Sequence, residues 1–326
     1  MRGRVVLLVA IATASCLAAS LLARGGGRGI PVEETVVLSA AWGSGVSNLG
    51  VAAPPEANPE GPMSFALGAR GAVFVLDQRN RRIQVFTGGT RQRTLPLDRE
   101  RWIDLDTAPG GGAALLDNHP PGELRFLDAA GKTVSSIPLE GRLIAWAAEA
   151  LQIDLVPSGP WAGAWVVVNA GPGPHRSVRL SGPDGAPLPR ISAPGLFAAD
   201  GETLLDVWAE GEQTIVVTRF EKGSFSRFAQ ARIEAGPLHA VRGVWMRRDG
   251  TLCVVAALAD GTAVCEVGIV LDRDLKEQGR FSIGRMETSH EIWRPIRADA
   301  DGALYRMSVD LDRKVRVRKF IALPER

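Results

Sequence analysis

Catalytic signatures are what this chain of 326 residues lacks most plainly. It has no G-x-S-x-G nucleophile elbow and no phosphate-binding glycine loop. Its four histidines (His119, His175, His239 and His290) form no H-x-x-H pair, and its three cysteines form no C-x-x-C pair. Those gaps exclude the short-motif zinc sites, the elbow hydrolases and the nucleotide-binding loops. Lysine is scarce, since 33 of the 38 basic residues are arginine. Arginine is the better anion binder, but a GC-rich genome would give the same bias. The formal net charge is only +2, so whole-molecule electrostatics calls for no nucleic-acid or membrane partner.

What the chain does hold is short apolar runs bounded by Gly, Pro and Asp, which fit strands better than helices. The clearest unit spans residues 61–97, where a strand SFAL, the turn GARG, a run AVFVLD, a polar connection QRNRR, a strand IQVF and a strand RTLPL follow in order. That is the layout of one four-stranded propeller blade. An isolated sheet of this kind cannot bury both faces, so copies must stack. A Gly-ended turn followed by an apolar run and a polar hairpin occurs six times, after Gly71, Gly112, Gly163, Gly201, Gly250 and Gly302. The spacings are 41, 51, 38, 49 and 52 residues, near the roughly 40–50 of propeller repeats.

The expected architecture is therefore all-β: a six-bladed β-propeller of four-stranded antiparallel blades. The blades fall at about 62–98, 101–139, 150–192, 195–234, 240–284 and 292–324, within a single domain over 35–326. The sixth blade lacks a last strand of its own, and the β-rich run TVVLSA at 35–40 is left over. A closed ring removes exposed edges, so the N-terminal strand is expected to complete the last blade. The run LIAWAAEALQIDL at 143–155 breaks the rhythm and has room for a helical turn.

The segment from Trp42 to Phe86 resembles the NHL-repeat propellers. The matching residues are Gly61, Pro62, Gly71, Asp77, Asn80, Arg82, Ile83, Gln84, Val85 and Phe86, with the other five blades keeping the hairpin but not the signature. The resemblance implies a platform for protein or ligand binding, and some relatives are enzymes. Calcium-dependent propeller lactonases gather carboxylates and asparagine at the ring centre. Asp77, Asp117, Asn169, Asp206 and Asp310 end or follow the inner strands and are the candidates for such a set. Asp and Asn also simply suit strand-to-turn junctions.

Met1-Arg-Gly-Arg4 followed by the uncharged run 5–23 has the form of a secretory signal, and its 19 residues also suffice for a signal anchor. Residues 1–24 are read as signal or anchor and 25–34 as linker, which expects an exported protein, periplasmic or anchored facing the periplasm. Cys16 after Thr-Ala-Ser resembles a bacterial lipidation site, but Thr13 stands where that site expects Leu, so a small apolar residue in the signal explains it better. Cys253 and Cys265 lie on the arms of one hairpin, where an oxidising compartment permits a bridge, but centring the turn on Asp260-Gly261 sets Cys253 opposite residue 268, which favours two buried thiols.

Two basic clusters, Arg79-Arg81-Arg82 and Lys314-Arg316-Arg318, read either as anionic-ligand sites or as solvated strand faces. The eight tryptophans, almost one per blade, fill packing between blades or, if exposed, would stack glycans. The functional expectation is a monomeric, non-enzymatic binding or scaffold module of the cell envelope, without catalytic or metal-binding residues. Its partner would be a protein, peptide or glycan, with membrane contact only through the N-terminal segment and no cofactor. The alternative is a metal-assisted hydrolase or lyase working in the axial channel, with calcium as its metal.

Overall fold

The computed structural model describes residues 28–53, 55, 59–168, 174–198, 200–261, 263–286 and 292–322. The expected signal segment and Cys16 lie outside them. The described residues form a six-bladed β-propeller of four-stranded antiparallel sheets.

The first strand, β1 (Val32–Ala41), belongs to the last blade. Blade 1 comprises β2 (Ser64–Leu67), β3 (Ala72–Asp77), β4 (Arg82–Thr87) and β5 (Thr90–Pro96). Blade 2 is β6 (Asp104–Ala108), β7 (Gly112–Asp117), β8 (Glu123–Leu127) and β9 (Thr133–Pro138). Blade 3 is β10 (Ala150–Val156), β11 (Gly163–Val168), β12 (Arg176–Ser181) and β13 (Pro187–Pro194). Blade 4 is β14 (Leu196–Phe197), β15 (Leu204–Glu210), β16 (Thr214–Phe220) and β17 (Arg227–Glu234). Blade 5 is β18 (Leu238–Met246), β19 (Leu252–Asp260), β20 (Ala263–Leu271) and β21 (Glu277–Arg285). Blade 6 is β22 (Ile296–Ala298), β23 (Leu304–Asp310) and β24 (Lys314–Ala322), completed by β1.

The closing strand pairs antiparallel with β24 from Val32 opposite Ala322 to Ala41 opposite Lys314. This is the closure expected from TVVLSA. The ring takes in more of the N-terminus than the sequence suggested, because Gly29 bridges Arg280 of blade 5 and the ladder starts at Val32. Part of the stretch assigned to a linker is thus structural. The irregular run 143–155 resolves into a 3-10 turn at Ala147–Glu149 followed directly by β10.

Position within the blade explains the sequence patterns. The second strands β7 and β11 (GAALLD and GAWVVV) are buried along their whole length, because the next blade covers each face. They read as continuous apolar runs for that reason, while the outer strand β17 alternates exposed and sheltered residues. The turn glycines Gly250 and Gly302 have φ of 83° and 81°, a conformation costly for any residue with a Cβ.

Each neighbouring pair of blades shares a core. Phe65 and Val75 of blade 1 pack with Met307 and Val317 of blade 6, and Phe74 and Leu76 pack with Leu105 and Leu115 of blade 2. Leu124 and Phe126 of blade 2 meet Val166 of blade 3, whose Trp165 meets Leu204 and Phe220 of blade 4. Ile215 and Val217 join Val254 and Ile269 of blade 5, and Val255 and Phe281 join Leu304 and Phe320 of blade 6.

Candidate active site in the axial channel

The first strands of the blades surround the ring axis: β2 touches β6 and β22, β6 touches β10, and β18 touches β22. Side chains on these strands meet at the centre. Asp104 of β6 is fully buried and accepts four hydrogen bonds. The donors are Ser64 Oγ at 2.5 Å, Ile153 N at 2.9 Å, Arg294 Nη1 at 3.2 Å and Arg297 Nη2 at 3.1 Å. Arg294 also donates to Ile153 O at 2.8 Å and to Asp154 Oδ1 at 2.6 Å. Arg297 Nε donates to Phe65 O at 2.8 Å, and its Nη2 donates to Leu105 O. Two arginines of blade 6 therefore reach across the axis to blades 1, 2 and 3, matched by two carboxylates. Buried charges persist only when paired and hydrogen-bonded in this way.

Beside the network lies a cavity of about 270 Å³, lined among others by Asp106, Asp154, His175, Arg242, Arg294, Arg297, Phe197 and Trp245. It sits against blade 4, whose innermost strand is only two residues long and fills little of the axis. Asp106 is two residues beyond Asp104 on β6, so both carboxylates point the same way. Asp106 Oδ2 accepts the backbone N–H of Leu155 at 2.8 Å and Oδ1 that of Thr107 at 2.8 Å. No arginine hydrogen-bonds to it among the described residues. Burial pushes its carboxyl above the ordinary carboxylate value; the charge of Arg297 opposes the shift, and that of Asp154 adds to it. His175 reaches the cavity from the chain just before β12, and its Nδ1 lies 2.9 Å from Asp206 Oδ1 on blade 4. Asp206 also accepts the backbone N–H of His175 at 3.1–3.2 Å, so one carboxylate fixes both ring and main chain.

The five residues considered as a central acidic set do not come together. Asp77 ends β3 and accepts Gly50 N at 2.8 Å, Arg82 Nε at 2.8 Å, Asn80 Nδ2 at 2.9 Å and Gln84 Nε2 at 3.1 Å. Arg82 and Asn80 continue to the carbonyls of Asn48 and Gly43. The signature residues of blade 1 thus clasp the 43–50 loop to the hairpin. Asp117 ends β7 and is held by Arg101 Nε at 2.7 Å; Asp310 ends β23 and is held by Ser308 at 2.7 Å and Arg318 at 2.6 Å. Asp206 serves His175, and Asn169 lies outside the described residues. No three of the described His, Cys, Asp and Glu residues are grouped so as to hold a metal ion. The central carboxylates Asp104 and Asp154 are already neutralised by Arg294 and Arg297, so the donor set does not fit calcium.

The other singled-out residues are structural. Arg316 and Arg318 both engage Asp310, Lys314 lies near Asp312, Arg79 pairs with Glu60 and Arg82 with Asp77, so apart from the exposed Arg81 the basic clusters are ion-paired rather than open to a ligand. Cys253 lies opposite Val270 and Cys265 opposite Leu258 on the β19–β20 ladder, and both thiols are free. That register rules out the bridge and leaves two thiols, the reading that the hairpin spacing favoured. Burial pushes the Cys253 thiol up to about 12. Trp102 and Trp165 are buried between blades, whereas Trp146 and Trp293 are exposed. His119 sits beside Asp117, His239 is exposed on β18, and His290 lies outside the described residues.

Sequence reasoning missed Asp104, Asp106, Asp154, Arg242, Arg294 and Arg297. The spacing Asp-Leu-Asp in β6 and the two arginines flanking Pro-Ile before Ala298 were the available signals. Charged residues repeated on one face of an innermost strand have only the channel to point into.

No family model matches the chain, and no curated protein matches it in sequence. Solved structures do. A gluconolactonase of Xanthomonas campestris matches at 19% identity over 79% of this chain and 85% of that one, with a TM-score of 0.48. A member of the DUF4221 family from Bacteroides vulgatus matches at 8% identity over 90% and 99%, with a TM-score of 0.50. A luciferin-regenerating enzyme matches at 12% identity over 80% and 91%, with a TM-score of 0.46. At such identities the likeness concerns the fold alone. It still corrects one expectation: enzymes are among the rings of this form, so the ring is no ground for a non-enzymatic scaffold, and that reading is withdrawn.

Proposed function

We propose that this chain is an enzyme that hydrolyses a small ester or lactone in its axial cavity by general acid–base chemistry. The observation that carries the reading is the meeting, in one cavity, of an imidazole held by a carboxylate and a carboxyl displaced toward its protonated form. Pairs of titratable groups in such different environments mark acid and base roles.

His175 takes a proton from water as the water adds to the substrate carbonyl, and Asp206 on Nδ1 stabilises the imidazolium that forms. Asp106 gives its proton to the departing alkoxide. Transfer from imidazolium to the Asp106 carboxylate through water then restores both groups. No Ser, Thr, Cys, Lys or Tyr lines the cavity among the described residues, which favours water as the nucleophile. The volume of about 270 Å³ lies just below the usual range of roughly 300–1,000 Å³ and favours a small substrate over a polymer. In this reading the NHL-like signature of blade 1 is a likeness of blade construction, and no step passes through a metal.

The test is turnover of a panel of small lactones and esters by the purified protein and by Asp106→Asn and His175→Gln. We expect each substitution to lower turnover by about 10²–10⁴-fold. Turnover unchanged in both variants, or none by the wild type on any member of the panel, overturns the reading.

A further inference from the structure

Glu266 on β20 is 1% exposed and lies between two arginines. Arg306 Nε is 2.5 Å from Glu266 Oε2, and Arg242 Nε is 3.2 Å from Glu266 Oε1. One buried carboxylate thus faces two guanidinium groups, which leaves one positive charge over. The neighbouring network supplies nothing to cancel it, because Asp104 and Asp154 are matched by Arg294 and Arg297, and burial holds Asp106, the remaining carboxyl of the cavity, toward its uncharged form. The position of the surplus is set by the remaining contacts. Arg306 is buried and spends Nη2 on the carbonyl of Arg285 at 3.2 Å. Arg242 lines the axial cavity, its side chain is 22% exposed, and among the described residues its other contact runs from Nη2 to the sulfur of Met286 at 3.5 Å. Its Nη1 has no hydrogen-bond partner among the described residues.

We infer that the axial cavity takes a substrate bearing one negative charge, a carboxylate or phosphate, and that Arg242 receives it. This rests on the hydrolytic reading of the same cavity and names the substrate class that the reading leaves open. Glu266 fixes the guanidinium through Nε, so the opposite edge of the fork is presented to an anion in a set orientation. Arg242 is partly buried, where charges interact more strongly than in bulk water, so its uncompensated charge favours a ligand that brings the missing one. The anionic end sits at blade 5 and the scissile bond toward Asp106 and His175, at the other side of the same void. An anion arriving elsewhere would meet arginines that are already satisfied. Arg242 is accordingly a specificity-determining residue, separate from the acid and the base.

The experiment is calorimetric titration of the full-length protein with three matched probes: glycerol, glycerate and glycerol 3-phosphate. We expect at least one of the two anions to bind and glycerol not to, the anions telling carboxylate from phosphate. Arg242→Gln should weaken the anion by about thirtyfold or more, and Arg242→Lys should recover part of the loss. Because Arg306 still pairs with Glu266, either variant leaves that carboxylate compensated. Asp106→Asn should keep the anion affinity within about threefold, since the acid is not the anion's partner. Affinity unchanged in Arg242→Gln, glycerol bound as tightly as the anions, or no anion bound at all overturns the inference. The hydrolytic reading fails on a different result, turnover indifferent to Asp106 and His175, so the two failures are distinguishable.

Discussion

Replacing Asp104 by Asn is the most exacting perturbation of the central network. The carboxylate is 0% exposed, and its four donors come from three different blades. The amide keeps the shape but removes the charge, leaving Arg294 and Arg297 to share Asp154. That carboxylate lies 2.6 Å from Arg294 but 3.8 Å from Arg297. Arg297, with 8% of its side chain exposed, becomes a nearly uncompensated buried cation. Breaking a buried pair from one side typically costs about 3–5 kcal/mol. Arg297→Met alone loses donors to Phe65 and Leu105 carbonyls but leaves Asp104 paired with Arg294, for about 2–3 kcal/mol. In the double variant the stranded cation is gone, so the two losses should fall short of additivity by about 1–3 kcal/mol. Urea unfolding of the four proteins at neutral pH measures all of these terms. A loss below about 1 kcal/mol for Asp104→Asn, or strict additivity in the cycle, would refute the reasoning.

Three further outcomes follow from the same contacts. Asp77→Ala removes the acceptor shared by Gly50, Asn80, Arg82 and Gln84 and should cost about 3–5 kcal/mol in the same unfolding assay; a loss under about 1 kcal/mol would show that the clasp is idle. Asp106 has its carboxyl raised in the folded state, so the native protein binds more protons than the unfolded one between the ordinary carboxylate value and the raised one. Its contribution to stability is complete below that window and is lost as pH rises through it, and the acid-dependent turnover falls in the same direction. Melting and rate profiles of the wild type and Asp106→Asn should differ by that limb, and superimposable profiles would contradict the assignment. Mass-mapped thiol labelling of the native protein should modify Cys265, half-buried near the start of β20, well before Cys253, whose thiol burial pushes up to about 12. Equal labelling, or a bridged pair, would contradict the β19–β20 register.

The ring was legible in the sequence because its information is local and repeated. Each blade announces itself by a Gly turn, an apolar run covered on both faces and a polar hairpin, as at Gly71, Gly250 and Gly302. The closing strand was legible by subtraction, since the sixth blade lacked a partner and TVVLSA lacked a blade. The site was illegible for the opposite reason. Arg294 and Asp104 are 190 residues apart and Arg294 and Asp154 are 140 apart, so the central network has no spacing to read. The inner strands that carry it are short, with two residues in β14 and three in β22, and give no periodic signal. The acidic residues that did follow a pattern, Asp77, Asp117 and Asp310, proved to be strand-end anchors. Asp206 alone reached the cavity, and it did so through His175, a partner 31 residues earlier.

The most direct measurement is turnover after filling the axial cavity without touching its charges. Ala298 on β22 lines the void and carries no hydrogen-bonding side chain. Ala298→Phe should abolish turnover and anion binding together, while the melting transition shows overpacking of no more than about 1–3 kcal/mol. A folded Ala298→Phe protein that keeps wild-type turnover would place the chemistry elsewhere and contradict the assignment of the axial cavity.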